Sequence, residues 1–75
     1  TTGTGFTGRE FFDADFNYNI ADLTFTNCIF RGVCYIKNIG GTITYAGTNI
    51  GGFVISNKPI PDTVRGTGDV DPAEF

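Results

Sequence analysis

The chain has 75 residues, with eight acidic against five basic side chains, no His and a formal net charge of −3. It carries no run of Lys or Arg with which to grip phosphates, which argues against ordinary nucleic-acid binding. Without His there is no side chain whose free pKa lies near neutrality and no Ser-His or Cys-His pair, and a chain this short leaves no room for a carboxylate pair in a rigid cleft, so an enzyme is not expected.

A chain of this length makes one domain at most and buries a small share of its surface, so help from outside the monomer is expected. Oligomerisation is the simplest source. No apolar stretch approaches the ~20 residues of a membrane-spanning helix, and no basic-then-apolar leader opens the chain, so a soluble mature chain without a membrane partner is the expectation. Met is absent, which fits either initiator removal or a fragment of a longer precursor. Eleven Thr against one Ser suit the solvent faces of strands.

Residues 1–10 are rich in Gly and Thr and are expected to form a flexible N-terminal arm. Gly3, Gly5 and Gly8 fit G-x-G-x-x-G, but that motif cradles pyrophosphate only between a strand and a long helix, and no strand can precede it here. Thr7-Gly8-Arg9-Glu10 has capping-box spacing, and Phe12 and Phe16 lie four apart, so a turn or two of helix is conceivable. The stronger signal is period two: Asp13, Asp15, Asn17 and Asn19 alternate with Ala14, Phe16, Tyr18 and Ile20, which predicts a strand over 13–20. The same oxygen-bearing residues resemble the start of a calcium loop, yet Tyr18 stands where an EF-hand needs Gly and Thr24 where it needs a bidentate acid. A solvated strand face is the expected role.

Strands are expected at 23–30, 33–37, 42–46 and 52–57, the first two joined by a turn at Arg31-Gly32. Asn-Ile-Gly-Gly occurs at Asn38 to Gly41 and again at Asn49 to Gly52, each time before a β-branched or aromatic run. The doubled segment reads as paired turns that use Gly for positive φ. The predicted fold is therefore all-β, a small antiparallel meander of sandwich or barrel-like form over residues 11–60. Lys58-Pro59-Ile60-Pro61 ends it, because two prolines cannot sit in a paired central strand. Residues 61–75 read as an extended, polar C-terminal tail, with Asp69, Asp71 and Glu74 serving solubility.

A second architecture is a short β-solenoid or β-helix. Counting in fives from Ile20 gives Phe25, Phe30, Tyr35, Gly40, Tyr45, Ile50, Ile55 and Ile60, while Ala14-Asp15-Phe16 and Ala21-Asp22-Leu23 resemble the motif of the pentapeptide-repeat solenoids. That resemblance implies one large and one small inward residue in every five, and a surface able to mimic nucleic-acid charge. Leu23 to Phe30 is likewise similar to a coil of a right-handed β-helix. Thr24-x-Thr26 and Thr42-x-Thr44 would then stack as a ladder resembling those of ice-binding solenoids, although exposed strand faces carry alternate Thr anyway.

Cys28 and Cys34 offer neither a CxxC nor a His, so no zinc site is expected, and no cofactor or metal is predicted. They read as small core-filling thiols; a disulfide stays open, although a turn at Arg31-Gly32 would set Cys28 opposite Tyr35. Eight Phe and three Tyr exceed what a small core hides, so some belong at an interface. Phe6, Phe11 and Phe75 are the candidates. The expected function is a non-enzymatic structural subunit that oligomerises or packs onto a larger particle, by analogy with decoration or spike components of bacteriophage virions. The alternative is a binding module for carbohydrate or a charge mimic.

Overall fold

The computed structural model describes residues 3–75; Thr1 and Thr2, the first residues of the expected arm, lie outside them. The described chain is all-β: β1 (Thr4–Thr7), β2 (Glu10–Phe12), β3 (Asp15–Tyr18), β4 (Asp22–Thr26), β5 (Ile29–Asn38), β6 (Thr42–Ala46) and β7 (Ile50–Ser56). Every strand pairing among them is parallel, not antiparallel. β1, β4 and β6 form one sheet, while β5 lies between β2 and β3 on one side and β7 on the other. Leu23 sits beside Thr4 and Ile43, and Tyr35 beside Asp15 and Ile55, so the chain meets itself again after about 20 residues.

This is a wound chain, a β-solenoid of about three coils with three sides per coil. The meander fails at Gly32. There the expected hairpin is instead a bend inside β5, made by a left-handed residue (φ 70°) with a register shift between Phe30 and Val33. A second corner of each coil uses the same device: Gly8, Asn27 and Gly47 stack with φ of 61°, 52° and 69°. Only Gly, Asn and Asp occupy that region cheaply. At these corners a side chain also reaches the next coil, Asn27 Oδ1 accepting from Thr48 N and Asp13 Oδ1 from Val33 N.

The core is a set of inward columns. Phe6, Phe25 and Tyr45 stack with centroids 5.6 Å apart at each step, and Phe11 lies over Phe30 at 5.6 Å. Phe16, Ile36 and Ser56 make a third column, while Cys34 and Val54 fill a fourth beneath Ala14. Phe6, Phe11 and Phe16 are five apart, one per side of the first coil. The count in fives from Ile20 holds at Phe25 and Phe30, which are buried, and fails beyond, because Tyr35 and Ile50 point outward and are exposed. Both cysteines are buried and unbridged.

The repeated Asn-Ile-Gly-Gly has a different role from the one expected. Neither Gly40 nor Gly41 has positive φ; a Cβ on Gly41 would lie 2.0 Å from the carbonyl oxygen of Ala21 in the coil before it. Gly permits close approach of coils. Gly52, by contrast, faces nothing nearer than the Gly32 oxygen at 4.0 Å. Gly41→Ala should therefore cost roughly 1–3 kcal/mol as overpacking, and Gly52→Ala well under half of that, which paired thermal melts would check.

Residues 57–75 do not extend away. Pro61 O accepts from Val64 N and Arg65 N, closing a turn that drives Ile60 and Val64 into the core at 4% and 1% exposure. The chain then returns along β7, where Val70 pairs in parallel with Ile55. Two of the three acids expected to be solubilising are fasteners, while Glu74 is exposed. Asp69 accepts from Val54 N and Gly66 N, and Asp71 from Ile60 N and Arg65.

Candidate docking edge at the N-terminal coil

The two ends of the coil stack are unlike. At the C-terminal end the turn at 61–65 plugs the core. At the N-terminal end nothing among the described residues lies over β1, β2 and β3.

Hydrogen-bond alternation shows which groups this leaves free. Gly8 N donates to Thr26 O, Arg9 O accepts from Ile29 N, Asp13 N donates to Arg31 O, and Ala14 O and Tyr18 O accept from Tyr35 N and Ile39 N. In a parallel ladder the N–H and C=O of one residue point the same way and the next residue's point oppositely. The main-chain groups of Gly5, Thr7, Glu10, Phe12, Asp15 and Asn17 therefore aim away from the second coil. Three strand edges stand open at one end.

Inside that rim lies apolar surface. Phe6 and Phe11 meet edge to face at 5.5 Å, Phe11 and Phe16 at 4.8 Å, and Phe6, Phe11, Ala14 and Tyr18 are only partly buried. The Arg9 guanidinium stands 5.9 Å from the Phe11 ring centroid. Two of the three residues expected at an interface are thus brought together. Phe75 is not with them: it packs on the outer wall against Tyr35 at 5.9 Å, with Lys37 Nζ 5.4 Å from its ring.

Phe12 is the residue that sequence reasoning passed over. At 73% exposed it is the barest large apolar side chain described, on the rim of the same edge. Adjacent Phe11 and Phe12 on a strand must face opposite ways, and that was the available signal.

The sheet of β1, β4 and β6 shows a second surface. Its outward positions carry Gly5, Asp22, Thr24, Thr26, Thr42, Thr44 and Ala46, and Thr24 lies beside Thr44. The Asp22 carboxylate accepts hydroxyl hydrogen bonds from Thr24 at 2.6 Å, from Thr44 at 2.8 Å and from Thr42. Those three bonds, led by Thr24, hold its pKa below the ordinary value. Asp71 is lowered as well, first by the Ile60 amide and then by Arg65.

A depressed folded-state pKa means stability that is present above the unfolded carboxylate range and lost as pH falls through the folded value. The melting temperature should accordingly be level from pH 7 to about 5 and fall below about pH 4. Asp22→Asn together with Asp71→Asn should flatten that fall.

The calcium-loop residues are apart in function: Asp13 binds Val33 N at a corner, while Asp15 and Asn17 are exposed on β3. Among the described residues no pocket opens, and no three Cys, Asp or Glu side chains gather as a metal would need. No helix there is long and apolar enough to cross a membrane. The fold and edge define a capped parallel β-solenoid segment. Comparison with family models, curated proteins and solved structures finds no match.

Proposed function

We propose that this chain is a non-enzymatic assembly module that associates through its N-terminal coil, as a subunit of an oligomer or of a larger particle such as a virion. The observation that carries this reading is the contrast between the two ends, one plugged by Ile60 and Val64, the other offering open strand edges around Phe6 and Phe11. Open edges are templates for strand pairing, and apolar surface beside them rewards it. Because the C-terminal end is covered, two copies would meet edge to edge at their N-terminal coils.

Sedimentation equilibrium of the full chain tests this. The expected result is reversible pairing as concentration rises, and its loss in Thr7→Pro, which removes a free edge donor while leaving the Gly8 to Thr26 bond in place. A chain that stays single at all concentrations, or pairing that Thr7→Pro leaves untouched, would count against it.

A second reading has one observation in its favour. The register that sets Thr24 beside Thr44 around Asp22 makes a hydroxyl-lined face suited to a hydroxyl-rich polymer such as a glycan. A glycan array would register that activity, and an assembly module would be silent on it.

A further inference from the structure

The covered end of the coil stack is as informative as the open one. Every main-chain group that the C-terminal half of β7 presents downward is taken by residues 69–73. Val54 N donates to Asp69 Oδ1, Val54 O accepts from Val70 N, Ser56 N donates to Val70 O, and Ser56 O accepts from Ala73 N. These are the groups with which a fourth coil would pair. The core is stopped in the same way: a Cβ built on Gly51 would stand 2.9 Å from Val64 O and 3.4 Å from Val64 Cγ1, so Val64 lies where the column of Phe11 and Phe30 would continue.

We infer that residues 57–75 act as a removable stop, and that the coil end beneath them is a docking surface for the N-terminal coil of a second copy, stacked head to tail. The inference rests on the assembly reading and extends it from pairs to open-ended stacks.

The second copy is identified by register. Coil 2 already receives coil 1 from above, and coil 3 repeats coil 2 about 20 residues later. Continuing each column by one step sets Phe6 of the incoming copy under Tyr45, Thr4 under Ile43, Phe11 under Gly51 and Phe16 under Ser56. The aromatic column of Phe6, Phe25 and Tyr45 is extended.

Charge does not oppose the stack. Outside, Glu10 would fall below Ile50 and Asp15 below Ile55, so no acid meets an acid. The lower edge of β6 is already open among the described residues, since β6 pairs only with β4, on its upper side.

The stop is also held imperfectly. The Tyr45 hydroxyl, on the last coil, is buried without a hydrogen bond, which costs free energy. The stop is held by the carboxylates of Asp69 and Asp71 together with the buried side chains of Ile60 and Val64.

Two full-length cap variants test the inference: Asp69→Ala with Asp71→Ala, which removes the fasteners, and Val64→Asp, which expels the plug. Each is measured by sedimentation velocity, with far-UV circular dichroism to follow the coil, alone and combined with Thr7→Pro. The expected result is species larger than a pair in both variants, reduced to single chains by Thr7→Pro, while the wild type goes no further than a pair. Cap variants that keep their β signal and the wild-type mass would overturn it. So would large species that survive Thr7→Pro, because head-to-tail stacking uses the N-terminal edge at every joint. Loss of the β signal in both variants would equally overturn it, since a removable stop requires a coil that outlasts it. If the wild type fails to pair but the cap variants stack, the assembly reading of the capped chain fails and this inference stands.

Discussion

Phe25→Ala should remove a large part of the chain's stability. Phe25 is fully buried and touches five rings, those of Phe6, Phe11, Phe16, Phe30 and Tyr45, between 5.0 and 6.2 Å from its own. A Phe to Ala change in a core costs about 3–5 kcal/mol, and neighbours that are stacked rungs of a coil cannot close the hole without breaking ladder bonds. A domain of this size has a total stability of about 4–11 kcal/mol at the usual value per residue. The cost is a large part of the whole. The melting temperature should fall by at least about 12 °C if any transition survives, whereas Phe12→Ala, at 73% exposure on the rim, should move it little. Similar melts for the two variants would contradict the placement of these side chains.

Asn49→Ala should be nearly as damaging, for a different reason. Asn49 is fully buried, its Oδ1 accepts from Cys28 N at 2.8 Å, and its Nδ2 donates to Ala46 O at 2.9 Å and Phe25 O at 3.3 Å. Truncation strands the Cys28 N–H inside the corner and takes one bond each from Phe25 O and from Ala46 O, which keeps its bond from Asn27 N, at about 1–3 kcal/mol for a buried donor left without a partner. With the hole left by the side chain the loss should total about 2–3 kcal/mol. Asn49→Asp should do no better, because it keeps the acceptor for Cys28, loses both donations and buries a charge. Urea unfolding would read both, and a shift no larger than that of exposed Asn17→Ala would show that the corner does not depend on this side chain.

Asn49 also shows how much of the fold was legible. That residues 42–46 and the runs around Phe25 and Val54 are strands could be read from alternation and β-branched residues. The hand of their pairing could not. Parallel coils leave no local mark: the partner of Leu23 is Ile43, and the steps of 19, 20 and 21 residues seen at Thr4 to Leu23, Leu23 to Ile43 and Ile29 to Ile50 blur any repeat. Gly32 misled in a simple way, since a left-handed Gly serves a hairpin and a solenoid corner equally well.

Phe6 and Phe11, the residues singled out from the sequence, lie together at the candidate edge, whereas Phe75 lies on the outer wall against Tyr35. An excess of aromatics indicated that some belonged at a surface, but which ones depended on where the wound chain ends. The tail was the larger surprise. Asp69 and Asp71 looked like free charges because their partners are main-chain amides of Val54, Gly66 and Ile60, and amides carry no signal in a sequence. Val64, a lone apolar residue in a polar stretch, was the one hint of a plug.

Amide hydrogen exchange at low and high protein concentration tests the central claim most directly. The free N–H groups of Gly5, Thr7, Glu10, Phe12, Asp15 and Asn17 should exchange quickly in dilute solution and become protected as the chain associates, while Val54 and Ser56, already bonded to Asp69 and Val70, stay protected throughout. Association without new protection along the N-terminal edge, or edge amides protected equally at every dilution, would contradict a docking edge at that end of the coil.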